Sequence, residues 1–374
     1  MIETVSQPVA RPVRQFLQRL HIDPLLLVLL LALTGVGLLV LYSASGQSEV
    51  RMTRQLLRFG VAYLVLIGFA QLRINTLFTW SPIIYLAGVG FLLLVLLLGS
   101  EGKGAQRWLD LGLLRFQPSE LMKLAVPMMV AFHFSERRLP PNSREVLTGL
   151  ALVLVPTMLV YLQPDLGTAV LIAFSGLVVV FTAGIRWRTL SIAGLLAAGA
   201  APLLWHFMHD YQKKRVMVFL KPETDPLGAG YHIIQSKIAL GSGGWHGKGW
   251  LEGSQAQLAF LPEQSTDFIF SVFGEEFGLV GVLSLFLLYL LIVMRGLYIA
   301  WRAPDTYSRL LATSLSMTFF IYFFVNVGMV SGLLPVVGVP LPLVSYGGTS
   351  MVTLMAGFGM LMGIHNQHRL LGHE

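Results

Sequence analysis

Leu258-Ala259-Phe260-Leu261-Pro262-Glu263-Gln264-Ser265-Thr266-Asp267-Phe268-Ile269-Phe270-Ser271, continued by Val272–Gly278, closes a long polar loop and opens a long apolar run. Asp267 therefore stands where water meets hydrocarbon. Glu275 and Glu276 follow about two helical turns later, inside the apolar run. Ionisable groups at such depths are costly and by default mark a functional site. Position alone leaves a second reading equally open. An Asp at a helix N-terminus often caps it, accepting hydrogen bonds from backbone N–H groups.

The chain around this stretch has 374 residues, 55% of them hydrophobic and only 12% charged. Soluble domains carry about 25% charged residues. Composition therefore implies an all-α polytopic membrane protein, a single integral membrane domain over residues 1–374. The net charge of +7 is scattered rather than gathered on one polar domain, so no nucleic-acid partner is expected. Anionic lipid or a phosphate-bearing substrate suits that charge better. The absence of cysteine excludes disulfides, thiol nucleophiles and thiolate metal sites. Arg11, Arg14 and Arg19 precede the apolar run Leu25–Leu41, and Ser43-Ala44-Ser45 loosely resembles a signal cleavage site. The run is long for a signal peptide and many spans follow, so it reads as an uncleaved first helix.

A helix needs about 20 apolar residues to cross a bilayer. About ten candidate spans follow from that length, with cores near 25–43, 56–72, 82–99, 118–134, 146–162, 166–185, 190–208, 268–297, 309–333 and 341–365. The arginines before span one, between spans four and five (Arg137, Arg138, Arg144), after span six (Arg186, Arg188) and after span eight (Arg295, Arg302, Arg309) then share one side. The positive-inside rule places that side, with both termini, in the cytoplasm. The large loop 209–267, between spans seven and eight, falls outside with Asp267, the 100–117 loop, the 163–165 turn and the 334–343 segment. Within the loop, Tyr231, Ile234 and Ile238 share a helical face.

Several other groups are able to carry chemistry. Glu120 and Lys123 lie at i and i+3 after Pro118-Ser119. They form either a structural ion pair or a lysine offered to a phosphate. Gln163-Pro164-Asp165-Leu166-Gly167-Thr168 makes a tight turn in which Asp165 is expected to cap span six. Lys103-Gly104-Ala105-Gln106-Arg107-Trp108 suits the mouth of a cleft, and Arg54, Arg58, Lys213, Lys214 and Arg215 add positive charge. Lipid headgroups and a phosphate-bearing lipid substrate would use that charge alike. Val339–Ser350 interrupts the last span, as irregular backbone lining a cavity does. At this point an enzyme and a transporter remain comparable.

Taken together, Lys103–Trp108, Phe116-Gln117-Pro118-Ser119-Glu120, Gln163–Thr168, Phe260-Leu261-Pro262-Glu263 with Thr266–Phe270, and Pro340–Gly348 resemble the SEDS family (shape, elongation, division and sporulation). The stretch Asp225–His232 to Gly249-Trp250 is more similar to the family's elongation branch, the RodA-like members, than to its division branch. The resemblance runs over essentially the whole chain and implies the ten-span SEDS fold. It also implies a multi-pass protein of the bacterial inner membrane that joins lipid II into β-1,4-linked glycan strands at the outer face, serving cell elongation, rod shape and cell wall biogenesis. Implied partners are lipid II, the growing strand, a class B penicillin-binding protein and other elongation-complex membrane proteins.

By the same resemblance, the family's essential aspartate matches Asp267, and its charged pair in the fourth span matches Glu120 and Lys123. Asp267 is then a general base or a ligand of a divalent cation, magnesium or manganese, with no organic cofactor. Lys123, Arg54, Arg215 and Arg107 become candidates for holding the pyrophosphate of the substrate, with Glu120 orienting Lys123. Glu275 and Glu276 are left as structural or partner-facing. A lipid II flippase and a non-catalytic scaffold of the elongation complex are the rival readings.

Overall fold

The computed structural model describes residues 21–102, 105–110, 115–185, 191, 199, 213, 217–225, 228–257 and 263–371. The expected seventh span, 190–208, falls almost entirely outside them. The described helices longer than four residues are α1 (Pro24–Ala44), α2 (Glu49–Ala70), α3 (Ile74–Leu98), α4 (Pro118–Ser135), α5 (Ser143–Leu162), α6 (Leu166–Thr182), α7 (Ala229–Ser242), α8 (Ile269–Trp301), α9 (Thr306–Val330) and α10 (Thr349–Leu371). Among the described residues six helices, α1, α2, α3, α5, α8 and α9, are long and apolar enough to cross a membrane. This is a multi-pass membrane protein.

Polar residues set where the spans start. Asp23 caps α1, accepting from the Leu26 N–H at 2.7 Å, with Pro24 at the first helical position. Asn142 and Glu145 form a capping box on α5, and Asp305 caps α9 through the Ser308 N–H at 2.8 Å. The centre of the bundle is α4, whose Met122, Ala125, Met128, Ala131 and Phe134 are all buried. A helix buried on every side belongs to the interior of a bundle. It packs on α3, α6, α9 and α5, while α2 packs on α10 and α1 on α8.

The backbone departs from the sequence expectations in three places, all on one face. Residues 100–116, expected as loop, carry a small antiparallel sheet in the order β1 (Ser100–Gly102), β2 (Ala105–Asp110), β3 (Arg115–Phe116). Strand pairing satisfies backbone groups that would otherwise be stranded at a membrane boundary. The last span begins at Thr349, not 341. Pro340 and Pro342 lack donors, and Leu343 has φ 60°, so 331–348 stays non-helical. Finally, α8 runs on to Trp301 but breaks at Gly278, where φ is 63° and ψ −164°.

At the opposite face one cluster ties three spans together. Arg295 of α8 donates through Nε to Asp23 Oδ1 at 3.2 Å, and His365 of α10 lies 3.1 Å from Asp23 Oδ2. The irregular segment before α10 is pressed onto α1. A Cβ added at Gly37 would lie 2.6 Å from the Leu343 carbonyl oxygen, whereas one at Gly35 meets nothing within 4 Å. Gly37→Ala should therefore destabilise by about 1–3 kcal/mol through overpacking. Gly35→Ala should be neutral or stabilising by up to about 1 kcal/mol. Thermal unfolding of the two variants in detergent checks the contrast.

Candidate active site

Asp267 sits one residue outside α8, because Phe268 occupies the N-cap position and makes no side-chain cap. Asp23, Asp165 and Asp305 behave differently, each accepting a backbone N–H at the start of its helix. The half-buried Asp267 is held by its backbone. Asn326 Nδ2, on α9, donates to the Asp267 carbonyl at 2.9 Å and to the Val339 carbonyl at 2.8 Å. Ser345 Oγ donates to the Thr266 carbonyl at 2.5 Å, and the Tyr346 N–H to the Ser265 carbonyl at 2.8 Å. The carboxylate faces Gly338, where an added Cβ would lie 3.6 Å from Oδ2. The end of the 209–267 loop and the break before α10 thus form one joint.

Beside it, His232 of α7 stacks on Phe268 with ring centroids 5.7 Å apart. Burial lowers the pKa of this imidazole from its usual value, against the pull of Glu263 and Asp225.

The 163–165 turn joins the sheet to this joint. Asp165 accepts from the Thr168 N–H at 3.3 Å, capping α6 as expected, and receives Gln117 Nε2 at 3.3 Å. Arg107 Nε lies 3.7 Å from Asp165 Oδ2, and the same guanidinium donates to the Pro164 carbonyl. A Cβ at Gly167 would meet the Val337 carbonyl at 2.7 Å, so α6 starts directly against the segment facing Asp267.

Lys123 Nζ donates to Glu120 Oε1 at 2.7 Å and stands 5.1 Å from the centre of the Tyr322 ring. Glu120 is 8% exposed and Lys123 only 4%. Glu120 lines a groove of about 810 Å³ with Arg58, Trp108, Gln117, Gly348 and Thr349. Lys123 instead lines a small enclosed space with Thr318, Phe319 and Tyr322. The glutamate thus faces the groove and the lysine backs it. The guanidinium of Arg58 lies 4.5 Å over the Tyr346 ring, and among the described residues no carboxylate pairs with it. That leaves a cation in a largely apolar groove, over a tyrosine that is one residue along the chain from the Ser345 that holds the Thr266 carbonyl.

The structure therefore brings Glu120 and Lys123 together, sets Arg107 over the 163–165 turn, and leaves Arg54 exposed at the start of α2. Arg215 lies outside the described residues. Sequence reasoning missed Asn326 and the Arg58–Tyr346 contact. The signal for Asn326 was available as an amide inside the apolar run of α9. Among the described residues no cluster of three or more His, Asp or Glu is able to hold a metal ion unaided.

Comparison with known proteins gives the family of the chain. Residues 24–370 match the model of the FtsW/RodA/SpoVE family, described as "Cell cycle protein". The chain belongs to this family. It is 53% identical to the peptidoglycan glycosyltransferase MrdB of Escherichia coli (strain K12) over 361 residues, covering 96% of this chain and 97% of the relative. It is 36% identical to the probable peptidoglycan glycosyltransferase FtsW of Idiomarina loihiensis over 94% of this chain and 89% of that one. Among solved structures it resembles the crystal structure of the Thermus thermophilus rod shape determining protein RodA, with TM-score 0.70 and 30% identity over 92% of this chain and 97% of that one. A chain from a peptidoglycan synthase complex that coordinates polymerization and crosslinking gives TM-score 0.81 and 32% identity, over 92% and 98%.

Breaking a buried ion pair strands a charge and costs about 3–5 kcal/mol, whereas removing both charges costs much less. Lys123→Met should therefore lower the thermal midpoint markedly, and Glu120→Gln with Lys123→Met should recover a large part of that loss. A double-mutant cycle in detergent reads the coupling.

Proposed function

We propose that Asp267 is the general base of glycan-strand polymerisation, and that the groove beside it receives the polyprenyl-pyrophosphate end of lipid II. The chain is a peptidoglycan glycosyltransferase, as its relatives are named. The observation that carries the site assignment is Asp267 itself. It stands outside the helix, its carbonyl fixed by Asn326, at the joint whose other strand carries the cation-bearing Tyr346.

The chemistry follows from the groups present. Asp267 takes the proton of the acceptor sugar hydroxyl as its oxygen attacks the anomeric carbon of the donor. The bond from that carbon to the pyrophosphate oxygen breaks with inversion, and the lipid pyrophosphate leaves with the electron pair. A positioned base contributes about 10²–10⁴-fold. Arg58 and Arg54, both near the outer end of α2, supply positive charge where the leaving pyrophosphate gains negative charge. Lys123 acts through Glu120, which it holds against the groove wall. A magnesium or manganese ion fits only if the substrate brings most of its ligands. Asp267 would then supply the carboxylate and the pyrophosphate the remaining oxygens, the usual arrangement for magnesium on phosphates.

The sheet, the 163–165 turn and Asp267 share one face, and the arginine-bearing helix ends Arg137, Arg295 and Arg302 lie at the other ends of their spans. By the positive-inside rule this supports a reaction at the outer face of the inner membrane, with both termini cytoplasmic. The similarity to a chain of a peptidoglycan synthase complex supports a crosslinking class B penicillin-binding protein as the partner.

Purified protein with that partner, its crosslinking serine blocked and no other polymerase present, should polymerise lipid II. Asp267→Asn should lower synthesis at least about a hundredfold while folding and partner binding persist. Undiminished synthesis by Asp267→Asn would remove Asp267 from the mechanism. No synthesis by the native chain, where a known polymerase works, would favour a flippase.

A further inference from the structure

Residues 244–249 enter the break in α8. In an unbroken helix the N–H groups of Leu279 and Val280 would meet the carbonyls of Glu275 and Glu276. Instead Leu279 donates to the Gly244 carbonyl at 2.9 Å and Val280 to the Trp245 carbonyl at 3.1 Å. The freed carbonyls of Glu275 and Glu276 accept from the N–H groups of Lys248 at 3.0 Å and Gly249 at 3.1 Å. Bonds internal to the helix are thus exchanged for bonds to the loop. Glycine is required at the contact, because a Cβ at Gly247 would strike the Glu276 carbonyl and one at Gly243 the Gly274 carbonyl.

Two buried carboxylates lock the insertion. Glu275 is 0% exposed, and its Oε1 accepts from Lys248 Nζ at 2.7 Å, Ser254 Oγ at 3.1 Å and the Gln255 N–H at 3.1 Å. Glu276 Oε1 accepts from the Leu251 N–H at 3.2 Å and from Ser43 Oγ at the end of α1. Trp250 Nε1 donates to the Leu39 carbonyl at 3.2 Å, adding a second tie to α1. Buried charges are a poor way to gain stability, since apolar residues of similar volume often serve as well or better. Their benefit here is geometric.

The break at Gly278 divides α8 into two rods. Leu279–Trp301 has the length of a membrane span. Ile269–Phe277, about 13 Å long at 1.5 Å per residue, is separate from it, with Asp267 just beyond one end and the clasp at the other. We propose that Lys248 and Glu275 are positioning residues for Asp267, their ion pair closing a clasp that sets where the short rod presents its carboxylate. The proposal rests on Asp267 being the base.

The native chain has no cysteine, so spin labels are readily placed at the exposed Glu263 and Leu333. Their separation reports the position of the Asp267 end relative to α9. In the complex with the penicillin-binding partner, Lys248→Met should lower kcat about tenfold, with the KM for lipid II changed less than about twofold, since displacements near 1 Å cost up to a hundredfold. The label distance should shift or broaden, and Lys248→Arg should restore most of both. Unchanged kcat in Lys248→Met, or reduced kcat with an unaltered distance distribution, would overturn the proposal. So would a loss that merely tracks the amount of folded protein. Asp267→Asn is run in parallel: if it still polymerises, the base assignment fails and the positioning role with it. If it is inactive and Lys248→Met behaves as native, the positioning role alone fails.

Discussion

Asn326 spends both Nδ2 protons on backbone carbonyls, those of Asp267 and Val339, from inside a membrane span. Much of the site depends on that arrangement. Two chain segments leave helical geometry at the same level, one before α8 and one before α10, and each exposes carbonyls with no helical partner. In hydrocarbon an unsatisfied backbone group costs several kcal/mol. The segments therefore survive only where side chains substitute for helix: Asn326 for two carbonyls, Ser345 for the Thr266 carbonyl and Leu341 N–H, and Tyr289 for the Pro342 carbonyl. The same substitutions fix the backbone of Asp267, whose carboxylate faces Gly338.

The irregular features share one face, and the regular ends share the other. The sheet, the 163–165 turn, the Asp267 joint and the clasp at Gly278 lie together, whereas Asp23, Arg295 and His365 fasten α1, α8 and α10 at the far end. A glycosyltransferase set in a membrane needs both conditions. The bundle must stay closed to ions across its depth, while one rim stays shaped by groups that are neither helix nor open loop. The groove of about 810 Å³ between α2, α10 and the sheet opens at that rim.

Much of this was legible in the sequence, because hydrocarbon imposes a length on every helix and a sign on its flanks. Nine of the expected span cores find helices close to their positions, and Asp267, Glu120, Lys123 and Asp165 stand out as ions or caps at span starts. What escaped depends on partners distant in sequence. The short strands at 100–116 carry no long alternation and exist because three of them pair. The break at Gly278 sits in an apolar run that reads as continuous helix, and only the loop inserted from residues 244–249 makes a break affordable. Asn326 reads as an ordinary tolerated amide until the carbonyls of two other segments arrive beside it.

The two acid–lysine pairs divide the work differently. Glu120 and Lys123 sit one helical turn apart on α4, so local geometry alone brings them together, and their pairing holds one wall of the groove. Lys248 and Glu275 come from different segments, and their contact exists only when the loop is seated in α8. The lysine of the second pair is also the more exposed, with its side chain 31% accessible against 5% for Lys123. A pair formed within one helix persists whenever the helix does. A pair formed between segments is lost when either moves, and the segment that would move carries Asp267. Accessibility, separation along the chain and proximity to the break all place the adjustable contact at the clasp, and the fixed one at the groove.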